Sequence, residues 1–95
     1  MRSNIIRIKK RGPIEIIFNI LESIYKSDTD GIGKTSIMYS SNLNWKQLEE
    51  YINYLLDVGL IEERCLNGFS KFFLTRKGFS AIKHFNKLFD LLSSY

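Results

Sequence analysis

Apolar positions along this 95-residue chain recur at helical spacing in several stretches and alternate at strand spacing around one short turn. Pro13, tolerated in a first helical turn, leads into Ile14, Ile17, Phe18, Leu21, Ile24 and Tyr25, whose spacing defines one face and predicts a helix over 13–27. Ser27-Asp28-Thr29-Asp30-Gly31 breaks it, and Lys34 to Ser40 forms a short second helix with Ile37 and Met38 inward. Ser40-Ser41-Asn42 makes a turn. Asn44 is then a good N-cap, with Gln47 three residues on in a capping-box arrangement, and Gly59-Leu60 supplies a stop, so a third helix is expected over 45–58. Its inward stripe reads Trp45, Leu48, Ile52, Leu55 and Leu56, leaving Lys46, Gln47, Glu50, Asn53 and Asp57 towards solvent. Asn67-Gly68, a strong hairpin signal, joins strands expected near 60–66 and 71–75. A further strand within Asn4 to Lys9 is open, since Ile6 and Ile8 alternate with Arg7 and Lys9.

The last helix, over 76–94, is apolar across too wide an arc for one small domain. Phe79, Ile82, Phe85, Phe89 and Leu92 form a stripe that Ala81, Leu88, Leu91 and Tyr95 widen by more than a quarter turn. Ile82, Phe85, Phe89 and Leu92 also fit an a/d heptad pattern. One part of this arc can cover the chain's own core while the other meets a second copy. The dimer interface is therefore expected at Phe79, Ile82, Phe85, Leu88, Phe89 and Leu92.

The order of elements is that of a mainly α fold with a small β-hairpin, a winged helix-turn-helix with a C-terminal dimerisation helix. The chain divides into a basic arm over 1–12, the winged helix-turn-helix over 13–78 and the dimerisation helix over 79–95. Such a length closes one small core and no more.

Charge sharpens the picture. The net +4 is a sum of +5 over residues 1–12, −5 over 13–66 and +4 over 67–95. Positive charge thus collects in the arm, the wing and the last helix, which favours a polyanion met from selected faces. No apolar run approaches the roughly 18 residues of a membrane span, and no secretory signal is evident, so a cytoplasmic location and no membrane partner are expected. Cys65 alone cannot form an internal disulfide and reads as a small buried hydrophobe on a strand.

Enzymatic readings fail on the residues present. Gly31-Ile32-Gly33-Lys34-Thr35 resembles the end of a phosphate-binding loop, but Asp28 stands where its first glycine is required. Asp28-Thr29-Asp30 suggests a calcium loop, yet its fifth and twelfth positions are Ile32 and Tyr39, and the latter cannot supply a bidentate carboxylate. One histidine, His84, and one cysteine make neither a zinc cage nor a catalytic relay. No cofactor, metal, catalytic residue or small-molecule substrate is expected.

Lys34-Thr35, Ile37-Met38-Tyr39, Asn42-Leu43, Tyr51-Ile52, Leu55, Gly59-Leu60-Ile61-Glu62 and Leu74-Thr75 with Lys77-Gly78 resemble the winged-helix DNA-binding proteins of crenarchaeal chromatin, the 10a family. The resemblance covers most of residues 13–90 and is most specific in the KTxIMYxxNL segment. It implies a C-terminal antiparallel coiled coil that pairs two winged helices, and a nucleoid-associated role. Here the last helix ends soon after Leu92, which makes the implied dimer arm short.

The expectation is a homodimer that binds double-stranded DNA with little sequence preference and helps organise the chromosome. Three zones would make the contact. Lys34, Thr35 and Ser36 offer a cation and free N–H groups to a phosphate. Asn44, Lys46, Gln47, Glu50 and Asn53 face the major groove, although Glu49 and Glu50 argue against a purely electrostatic contact there. Arg64, Phe69 and Lys71 of the wing, with Arg7, Lys9, Lys10 and Arg11 of the arm, grip flanking backbone or minor groove. Phe69 either wedges into a groove or folds back on the hairpin. A sequence-specific transcription regulator and a protein-interaction module are the alternatives on the same fold.

Overall fold

The computed structural model describes residues 12–27 and 29–93. Across them run helix α1 (Pro13–Tyr25), helix α2 (Lys34–Ser40), helix α3 (Trp45–Asp57), strands β1 (Ile61–Leu66) and β2 (Phe69–Leu74), and helix α4 (Arg76–Ser93). This is the expected winged helix-turn-helix. The open strand over Asn4 to Lys9 and the arm cations lie outside the described residues.

Both ends of the helix-turn-helix are fixed by backbone geometry. At the end of α2, Asn42 takes a left-handed conformation (φ 56°) while its N–H donates to Tyr39 O and that of Leu43 to Met38 O. The end of α3 repeats this with Gly59 (φ 79°), where the N–H groups of Gly59 and Leu60 reach Leu56 O and Leu55 O. Each closure satisfies carbonyls that a helix end leaves orphaned. The start of α3 carries the full capping box: Gln47 N–H donates to Asn44 Oδ1 at 2.8 Å, and Asn44 N–H to Gln47 Oε1 at 3.1 Å.

The core joins Ile16, Ile20, Leu21 and Ile24 of α1, Ile37 of α2, Leu43 of the turn, Leu48, Ile52 and Leu55 of α3, Ile61 and Phe72 of the hairpin, and Ile82 of α4. Three sequence expectations are corrected. In α1 the buried residues are Ile16, Ile20, Leu21 and Ile24, so Leu21 and Ile24 of the expected stripe are inward, while Ile14 and Tyr25 are more than half exposed. Apolar residues cover so much of this helix that periodicity alone does not select the buried edge. Trp45 is also more than half exposed: it opens α3 between the buried Leu43 and Leu48, but its ring lies near Lys34 and outside the core. Cys65 is exposed as well, since the distal half of the hairpin extends beyond the core.

The strands pair antiparallel, with Arg64 opposite Lys71 and Leu66 opposite Phe69. Asn67 (φ 53°) and Gly68 (φ 83°) form the two-residue turn with both central residues left-handed, the geometry whose twist matches that of the strands. Ile32 adds an isolated bridge to Phe72, exchanging both backbone hydrogen bonds with it. No sequence pattern marked that bridge, because a single paired residue has no period.

A knot of bonds ties the wing to α4. Thr75 caps this helix through Gly78 N–H → Oγ1 (3.1 Å), its hydroxyl donates to Gly59 O (2.6 Å), and its N–H donates to Leu60 O (3.1 Å). Lys77 Nζ donates to Val58 O at the end of α3 (2.7 Å), where a cation also complements the helix dipole. Helix α4 then runs antiparallel to α1, with Phe18 edge-on to Phe85 (5.6 Å) and Phe89 (4.9 Å), and Tyr25 against Phe79 (6.0 Å).

Candidate nucleic-acid interface

With Leu48, Ile52 and Leu55 turned inward, α3 leaves Lys46, Gln47, Glu50, Asn53, Tyr54 and Asp57 uncovered. This is the face expected to meet a groove. Its electrostatics are milder than its composition suggests, because Lys34 Nζ donates to Glu49 Oε2 at 2.9 Å and lies 5.7 Å from the centre of the Trp45 ring. That pairing neutralises Glu49, and it also engages the cation expected to meet a phosphate. Thr35 and Ser36 remain exposed beside it.

The capping box bears on base readout. A planar amide reads adenine by accepting and donating at once. The oxygens of Asn44 and Gln47 already accept backbone N–H groups, so each side chain has its –NH2 as the unengaged end. Asn53 carries no such bond and is exposed.

The wing divides into two faces. Ile61, Glu63 and Cys65 lie with Leu74, Phe72 and Ser70 on one; Glu62, Arg64 and Leu66 lie with Phe73, Lys71 and Phe69 on the other. On the second face Glu62 is the one acid, and it pairs with Arg64. The Arg64 guanidinium also stacks 4.3 Å from the Phe73 ring. Lys71 makes no ion pair among the described residues. Phe69 stands 69% exposed at the tip, not folded back onto the hairpin.

Helix α4 is split along its length. Ile82 lies in the chain's own core, and Phe85 and Phe89 are half-buried against Phe18, so these three are engaged within one chain. Phe79, Leu88 and Leu92, with Leu91, keep about half or more of their surface exposed. The uncovered apolar area thus lies at Phe79 near the start of the helix and at Leu88, Leu91 and Leu92 towards its end. Among the described residues no group of three or more His, Cys, Asp or Glu could hold a metal ion, and no helix is long and apolar enough to cross a membrane.

Residues that pattern reading missed are Thr75, Lys77 and Gly78, which hold the wing, α3 and α4 in register. Their Leu-Thr-x-Lys-Gly spacing was visible, but the carbonyls they serve lie about sixteen to nineteen residues earlier.

A helix-turn-helix whose second helix is uncovered, followed by a two-stranded wing, defines the winged-helix class. Residues 10–93 match the winged helix-turn-helix family, to which the chain belongs. The Methanocaldococcus jannaschii protein MJ0287 is 34% identical over 85 residues, 90% of this chain and 80% of that one. MJ0290 of the same organism is 39% identical over 83 residues, 87% of this chain but 36% of MJ0290. Sso10a-2, a DNA-binding protein from Sulfolobus solfataricus, has a similar structure, with TM-score 0.66 and 27% identity over 88% of this chain and 87% of that one. MepR of S. aureus, solved in complex with DNA, matches 81% of this chain and 57% of its own at TM-score 0.71 and 18% identity, a likeness of fold alone.

Proposed function

We propose that this chain binds double-stranded DNA as a homodimer with little sequence preference, and acts as a nucleoid-associated protein. The observation that carries the reading is the second wing face, where Lys71 makes no ion pair among the described residues and Arg64 is balanced by Glu62, the one acid on that face, next in the chain to an uncovered polar α3. The similarity to Sso10a-2 supports the DNA partner. Low specificity is supported by α3 itself, since Glu50 and Asp57 are uncovered and the amide oxygens of Asn44 and Gln47 serve the cap. Phosphate contacts from the wing, from Thr35 and Ser36, and from the arm residues Arg7, Lys9, Lys10 and Arg11 would then carry most of the affinity. The exposed Leu88, Leu91 and Leu92 on α4 are the surface for the second copy.

A sequence-specific regulator is the second reading, favoured by Asn53 and Glu50, whose exposed polar ends are free of capping. Fluorescence-anisotropy titration of random and genomic duplexes at two salt concentrations separates the readings. If a dimer neutralises about 6–10 phosphates, affinity falls roughly 10³- to 10⁵-fold between about 50 and 200 mM salt, alike on all duplexes. A salt-resistant preference for one fragment, at about 1–3 kcal/mol per discriminated base pair, would establish the regulator instead. Absence of binding at low salt would leave an interaction module.

A further inference from the structure

The tip of the wing carries an apolar pair that the fold does not use. Leu66 and Phe69 lie directly opposite each other beside the two-residue turn, 39% and 69% exposed, on the face that carries Arg64 and Lys71. The turn needs only Asn67 and Gly68, whose left-handed backbones close the hairpin. The hairpin's contact with the core is made at its other end, by Ile61 and Phe72. A cross-strand apolar pair adds about 0.2–1 kcal/mol to hairpin stability, and a polar β-branched pair would do nearly as well there without exposing a phenyl ring.

We propose that Phe69, backed by Leu66, is a wedge that enters the minor groove, partly unstacks one base step and kinks the duplex towards the major groove. This rests on the DNA-binding reading and adds to it a deformation of the partner. The chemistry fits at both levels. An apolar side chain between base steps meets aromatic faces of every sequence, which suits a binder with little base readout. Lys71 lies two residues behind Phe69 and directly opposite Arg64, so that cations sit where the phosphates flanking an entered groove would come. Arg64 can exchange the Glu62 carboxylate for a phosphate without leaving its stacked position on Phe73.

The test uses the full chain and a short duplex with a single central TA step, end-labelled for energy transfer and carrying 2-aminopurine at that step. Binding is read separately by anisotropy. At saturation the wild-type protein brings the ends closer, consistent with a kink of about 20–90°, and brightens the 2-aminopurine. Phe69→Thr, which keeps a strand-forming residue, still binds, roughly tenfold more weakly, but leaves the duplex straight and the base stacked. Lys71→Ala weakens binding yet retains the kink once saturated. The wedge is overturned if the wild-type protein binds without bending or brightening, or if Phe69→Thr bends the duplex as wild type does, and in both cases the DNA-binding reading survives. No anisotropy change with the wild-type protein at low salt removes both.

Discussion

Adding one methyl group at Gly78 tests the knot that fixes the wing against α4. Gly78 is buried at the third position of this helix, and a Cβ there would be driven into the Leu60 carbonyl oxygen, with the Leu74 side chain 3.1 Å away on another side. The oxygen cannot retreat freely, because it accepts Thr75 N–H at 3.1 Å while the Thr75 hydroxyl holds the adjacent Gly59 O at 2.6 Å. Relief therefore strains a packed contact, at about 1–3 kcal/mol, and loosens one or two hydrogen bonds worth about 1 kcal/mol each. Against this stands the gain of about 1 kcal/mol that alanine brings over glycine in an ordinary helix interior. The net expectation for Gly78→Ala is a loss of about 1–4 kcal/mol, and each kcal/mol lowers Tm by about 4–8 °C in a domain of this size. Urea unfolding followed by circular dichroism gives the sign directly. A variant as stable as wild type, or more so, would mean that helix propensity wins, and that the close approach to Leu60 is not a constraint.

Three further outcomes are expected. Ser41 is 1% exposed and its hydroxyl has no hydrogen-bond partner among the described residues, so Ser41→Ala should raise stability by roughly 1 kcal/mol in the same unfolding assay, and a clear loss would point to a partner elsewhere for the hydroxyl. Leu88→Glu with Leu92→Glu, both at surfaces exposed in a single chain, should leave the fold intact and give monomers by light scattering; Phe85→Asp with Phe89→Asp should instead unfold the chain by stripping Phe18 of its partners, and a persistent dimer in the leucine variant would count against α4 as the contact. Gln47→Ala should cost about 1 kcal/mol or less of stability through the lost half of the capping box and weaken DNA binding evenly across sequences, whereas a loss confined to one genomic fragment would favour the regulator.

What could be read from the sequence follows from how far apart the partners lie. Asn44 and Gln47 are three residues apart, so their reciprocal cap was legible, as was the hairpin, since Asn67-Gly68 contains its own backbone requirement. The positions of α2 and α3 followed from local stops at Asn42 and Gly59. Which face of α1 is buried did not, because the choice among its many apolar residues is made by α2, α4 and β2, which pack on it from elsewhere in the chain. Cys65 failed for a related reason, since it has the side chain of a core residue but sits on the distal half of the hairpin, beyond the core; Trp45 failed although Leu43 and Leu48 on either side of it are buried. At the candidate interface, the residue types were visible and their commitments were not. Lys34 meets Glu49 across fifteen residues, and nothing in the spacing announces it.

Those commitments decide how the proposed site would work. A groove-reading helix needs cations to offset the phosphates and free acceptors to identify bases. On α3, Lys46 is the one cation among the uncovered residues that face solvent with Glu50 and Asp57, while the Lys34–Glu49 pair cancels internally. The helix therefore adds little net attraction of its own, and a duplex held by it alone would gain little from counterion release. The wing reverses that balance on one face, because Glu62 is matched by Arg64 and Lys71 makes no ion pair among the described residues, while Glu63 lies on the opposite face. If DNA is the partner, the wing and the basic arm set how tightly it is held, and α3 sets only which way round the protein sits. Positioning by one element and attraction by others is the arrangement expected of a protein that must occupy many sequences rather than find one.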